Sequence, residues 1–264
     1  MPSWLSRTVG GVLAGMLAWA GIPSWVPAQV IEDEGDLILT YEASADAELE
    51  AVRLILESNG TFDKLIAGLN EELAFPQDIQ VVFTECGTVN AFYDPEAVQI
   101  SMCYELIAYY AALFADENTS PEELEEHVIN AGLFTFFHEL GHALVDQYEL
   151  PITGREEDVV DEFAVLSLLE YGSEGEWAAI VGMAQFAFDA AVEAELETLA
   201  YWGEHALSAQ RFYTMACLIY GSNPEQFADL VGEDGLPEER AAQCPYEYEQ
   251  KYNSWTVLLE PYFK

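Results

Sequence analysis

The alternation of apolar and polar positions divides the chain into a short stretch of mixed elements and a long helical remainder. From Ala43 to Ser58 the spacing predicts an amphipathic helix whose apolar side is Leu49, Val52, Leu54, Ile55 and Leu56, ended by Asn59-Gly60. A second, shorter helix is predicted over Phe62 to Leu73, stopping before Pro76. Ile79 to Phe83 (IQVVF) is short, β-branched and apolar, and reads as a strand. Ala91 to Tyr93 and Val98 to Met102 read as two further strands around the Asp94-Pro95 turn. From Tyr104 onward the pattern is overwhelmingly helical. A small mixed sheet wrapped by many helices is an α+β architecture, and with no repeat or long linker, residues 29–264 form one expected domain.

The first residues follow a different pattern. Arg7 is the only charge before Glu32, Val12 to Ile22 is a compact apolar run, and Pro23 and Pro27 break it. Val26-Pro27-Ala28 places small residues where a signal peptidase reads them, so residues 1–28 are expected to be a signal peptide, with an uncleaved anchor as the alternative. The run is shorter than the roughly 20 apolar residues of a spanning helix, so no stable membrane insertion is expected after cleavage. Either way the bulk of the chain is expected outside the cytoplasm, secreted or periplasmic. Charge narrows the partners: 48 Asp+Glu against 8 Lys+Arg give a net −40, a field that repels nucleic acid and anionic membrane surfaces. The four cysteines suit an oxidising compartment. Three pairings are formally open; the spacing favours Cys86–Cys103, flanking the strand pair, and Cys217–Cys244 in the helical C-terminal third. No CxxC pair occurs, which disfavours a cysteine metal site.

One helix carries the chemistry. Ser120-Pro121-Glu122-Glu123 supplies an N-cap, a proline in the first turn and a capping-box glutamate. The helix continues through Phe134, Phe136 and Phe137 into His138-Glu139-Leu140-Gly141-His142. In this HExxH arrangement the two histidines lie one above the other on one helical face, both able to hold a single Zn²⁺, and Glu139 can reach a water at the metal as general base. Gly141 points to close packing, because glycine in a helix interior costs about 1 kcal/mol. His127 lies about 16 Å away along the same helix, too far to ligate.

A catalytic zinc needs a third protein ligand. Downstream, Arg155-Glu156-Glu157-Asp158-Val159-Val160-Asp161-Glu162 opens a helix crowded with carboxylates. Glu157 and Asp161 are four apart and share a face. Glu157 is favoured as the third ligand, with Asp161 accepting the ring N–H of a ligand histidine; Asp161 and Asp158 are the alternative ligands. Glu156 and Glu162 are expected to face solvent.

HExxH followed by ExxxD on the next helix resembles the gluzincin class of zinc metallopeptidases. More narrowly, FFHELGHALVDQYELPITGREEDVVDEFA resembles a family of exported bacterial proteins classed as metallopeptidases. The likeness extends from the stretch Cys86 to Tyr93 and the string Cys103 to Leu106 through Gln210 to Tyr213 and Ser254-Trp255. It implies a zincin-like fold whose sheet edge binds extended substrate backbone, with Val98 to Met102 as the expected edge. It also implies a donor that polarises the scissile carbonyl. His205, at the start of a helix expected over Gly203 to Tyr220, and Tyr213 are the candidates, with His205 favoured as the catalytic residue. Arg211 is expected to neutralise buried carboxylates. The reading is an exported zinc-dependent peptidase acting on a peptide or protein, and the alternative is a non-catalytic zinc-containing binding module of the cell envelope.

Overall fold

The computed structural model describes residues 32–192, 202–233 and 235–264. The expected signal peptide lies outside the described residues. Among them, no helix is long and apolar enough to cross a membrane.

The N-terminal third alternates strands and helices: β1 (Leu37–Tyr41), α1 (Ala47–Asn59), α2 (Thr61–Glu72), β2 (Ile79–Thr84), β3 (Ala91–Asp94) and β4 (Gln99–Cys103). The remainder is helical: α3 (Tyr104–Phe114), α4 (Pro121–Gln147), α5 (Glu156–Leu169), α6 (Gly172–Val192), α7 (Ser208–Ser222), α8 (Glu238–Ala241) and α9 (Cys244–Leu259). The mostly helical α+β expectation therefore holds. Helix α1 starts at Ala47 and not at Ala43, because the Asp46 carboxylate caps it, accepting from the N–H groups of Glu48 (2.8 Å) and Leu49 (3.2 Å). Strand β1 was not anticipated.

The four strands run in the order β1-β2-β4-β3. β1, β2 and β4 run parallel to one another, and β3 lies antiparallel on β4 with Phe92 opposite Ser101 and Tyr93 opposite Ile100. The expected edge is thereby corrected: Val98 to Met102 falls almost wholly in β4, an interior strand, and β3 forms the edge. Burial explains the arrangement, since β4 is enclosed from Ile100 through Cys103 whereas β3 leaves Phe92 exposed.

Helix α4 is the axis of the molecule. Its entry is the expected capping box, Glu123 N–H to Ser120 Oγ (3.2 Å) and Ser120 N–H to Glu123 Oε2 (2.9 Å). Nearly every residue from Val128 to Leu144 is buried. Phe134, Phe136 and Phe137 join Phe62, Phe83 and Tyr104 in the core between helices and sheet. Both expected disulfides are present. Cys86–Cys103 fastens the loop ahead of β3 to the end of β4, and Cys217–Cys244 fastens α7 to α9. Loops of this size lose about 3 kcal/mol of unfolded-state entropy when closed.

Candidate active site

Two helices meet where the side chains of interest converge, and one missing Cβ lets them. A Cβ on Gly141 would stand 2.9 Å from Val160 Cβ, closer than side chains tolerate. Without it α5 presses against α4 and delivers its first turn to the HExxH face. The ligand atoms of His138, His142 and Glu157 then all lie within 4.8 Å of one another.

Each ring has its two nitrogens assigned to different neighbours. His138 Nδ1 is 2.8 Å from Asp161 Oδ1, and its Nε2 is 3.2 Å from Glu157 Oε2. His142 Nδ1 is 2.7 Å from Glu156 Oε1, and its Nε2 is 3.6 Å from Glu157 Oε1. A carboxylate at each Nδ1 orients its ring and turns Nε2 toward Glu157. Glu157 Oε2 is buried there with no hydrogen bond of acceptable geometry, although ring nitrogens lie close by. The 3.2 Å between His138 Nε2 and Glu157 Oε2 is close to the edge of a tetrahedral metal site, about 3.3 Å for bonds of about 2.0–2.1 Å. Two imidazole nitrogens and one carboxylate, with a fourth direction left to the cleft, form a donor set that fits a divalent metal such as zinc.

The electrostatics ask for positive charge at this point. Burial opposes protonation of His138, but Asp161 and Glu157 outweigh it and push the ring up to about 9. Burial also opposes protonation of His142, and Glu157 and Glu156 raise it nonetheless. Burial likewise opposes ionisation of Glu157, yet His138, His142 and His205 hold its carboxyl far below the usual carboxylate range. Glu139 behaves differently. Burial drives its carboxyl above the ordinary value, with the two histidines and the Tyr93 N–H pulling only partly back. A carboxyl raised this way holds a proton more readily than an exposed one, and it stands beside the three groups that could hold a metal.

These groups open onto a cleft of about 950 Å³, bounded by β3, α3, α4, α6 and the segment before α7. His205 lies in that segment and not at a helix start, since α7 begins only at Ser208. Its Nε2 is 2.9 Å from Glu157 Oε2 and its side chain is half exposed, so it joins the cluster from the open side. Tyr213 is exposed and does not line the cleft. Arg211 reaches Asp161 through Nε (2.7 Å) and an Nη (2.6 Å), as expected of a cation among buried carboxylates. Asp158 is directed elsewhere, 3.9 Å from Arg155. Glu156 faces solvent as expected and Glu162 does not. Glu156 is exposed but accepts from His142, and Glu162 is buried and paired with Lys251 at 2.7 Å. No local signal marks either, because each partner lies in a different element. His127 packs between Phe114 and Trp177, outside the site.

No curated protein and no solved structure matches this chain. A family model described as "Putative metallopeptidase" matches residues 41–259, a span holding both active-site helices, the sheet edge and both disulfides. The chain belongs to that metallopeptidase family.

Proposed function

We propose that the protein is a zinc-dependent peptidase that works outside the cytoplasm, with His138, His142 and Glu157 as the metal ligands. When bound, zinc lowers the pKa of a coordinated water to about 7 and polarises a carbonyl as a Lewis acid. Glu139 takes the proton of the attacking water on its carboxylate and passes it to the leaving amine. Asp161 and Glu156 hold the two rings, and Arg211 holds Asp161 through two N–H groups. His205, reaching the cluster from the open side, donates to the oxygen of the scissile carbonyl. The exposed edge of β3 carries the substrate backbone as an added strand.

The observation that carries this reading is the convergence of the three ligand atoms beside buried Glu139, which pairs with no Lys or Arg among the described residues. A site that only held a metal would have no task for Glu139, so the binding-module alternative leaves that burial unexplained. Two disulfides accord with an oxidising compartment. The test is incubation of the purified protein with a mixed peptide library, read by mass spectrometry. Cleavage should stop on chelation and return with added zinc. Zinc binding with every peptide left intact would favour the binding module.

A further inference from the structure

One end of the cleft is a subsite between three helices, made by Tyr109 and Tyr110 of α3, Phe134 and Thr135 of α4, and Gln185, Phe186 and Asp189 of α6. Phe134 and Thr135 stand one turn ahead of His138 and Glu139, about 6 Å along the helix axis, so the subsite adjoins the reacting centre. Its walls are aromatic: Phe134 and Phe186 meet edge to face with centroids 6.0 Å apart.

Its hydroxyl donors are already committed. Thr135 donates to Ala131 O (3.1 Å), Tyr110 donates to Thr135 Oγ1 (2.7 Å), and Tyr109 donates to Asp189 Oδ1 (2.9 Å). Arg211, the one Lys or Arg lining the cleft among the described residues, spends two N–H groups on Asp161 and lays its guanidinium 4.0 Å over the Phe186 ring. What stays open is acceptors. Gln185 is only 6% exposed and gives its Nε2 to Gly182 O (2.9 Å), which leaves Oε1 with no partner among the described residues. Asp189 Oδ2 has none either.

Apolar walls with unspent acceptors select a long apolar stem tipped with donors. A glutamate side chain would meet Asp189 charge to charge, and a purely aliphatic one would leave Gln185 Oε1 shut away without a bond. We infer that this subsite takes the side chain of a substrate lysine or arginine next to the scissile bond, an assignment that rests on the peptidase reading of the cleft. The aromatic walls pack along the apolar stem, while Asp189 and Gln185 receive its N–H groups.

The test reads binding and not turnover. Fluorescent blocked peptides of Ala and Ser, identical but for one central Lys, Arg, norleucine or Glu, are titrated into zinc-supplemented Glu139→Gln protein, which should not cut them. The Lys and Arg peptides should bind about tenfold more tightly than norleucine, with Glu weakest. Asp189→Asn should bring the Lys-to-norleucine ratio close to one. Asp146→Asn removes an equal charge from another part of the cleft and should keep the ratio, which separates a local subsite from the general field of an acidic protein. Equal affinities for Lys and norleucine, no binding of any peptide, or equal losses in the two Asp variants would overturn the assignment. Wild-type protein that binds the Lys peptide selectively and leaves it uncut would count against the peptidase reading alone.

Discussion

Glu157 and Asp161 stand one turn apart on α5 and meet opposite nitrogens of the same ring, Glu157 at His138 Nε2 and Asp161 at Nδ1. That division predicts unequal losses. With Glu157 as the proposed ligand, Glu157→Ala should abolish tight zinc binding, whereas Asp161→Ala leaves the proposed ligand set intact and should weaken it about 10–100-fold. Competition against a zinc-indicator dye measures both, and the reverse order would make Asp161 the ligand. Much of this was legible in the sequence, because HExxH and the Glu157–Asp161 interval are consequences of helical period. Gly141 was legible too, since a glycine inside an apolar helix marks a close approach, here to Val160. Glu156 was not. An exposed carboxylate in a first helical turn answers the helix dipole wherever it occurs, so nothing local distinguishes one that holds His142. The burial of Glu162 depends on Lys251, which lies on α9.

At the scale of elements, three of the four strands are legible in the sequence and β1 is not, and the edge falls on β3 and not on the stretch Val98 to Met102. A burial pattern could have separated them: QISMC is enclosed almost throughout, while AFYD is half-buried and leaves Phe92 out. Neighbour order depends on crossovers that join distant segments, and local periodicity does not carry it. The position of edge strand β3 depends on the loop ahead of it, which α3 holds through Glu105. That carboxylate accepts from the N–H groups of Cys86 (3.1 Å) and Gly87. Burial opposes its ionisation, but those N–H groups prevail and lower its pKa in the fold. A lowered folded pKa contributes stability above the unfolded value, lost as pH falls through the folded one. Glu105→Gln should therefore melt below wild type at pH 6–7, and the gap should close below about pH 4. Thermal melts across that range measure it, and a gap that persisted in acid would show that the carboxylate's charge is not what holds the loop.

At the scale of the whole molecule, six of the seven Lys and Arg among the described residues are spent internally. Arg53, Arg155, Arg211, Arg240, Lys251 and Lys264 each pair with a carboxylate. A net charge of −40 then surrounds a centre whose ligands are arranged for positive charge. Such a field draws cations, metal and basic peptide alike, toward the cleft, and it weakens as salt screens it. Concentrating a substrate is not catalysis, however, and the proposed proton transfer depends on one carboxylate. Glu139→Gln keeps size and removes the proton acceptor while leaving all three ligands in place. Zinc content and peptide cleavage measured on the same preparation therefore test the account most directly. It predicts one zinc per chain as in wild type, with cleavage lowered by about 10²–10⁴-fold or more. A variant that holds its zinc and cuts as fast as wild type would contradict it.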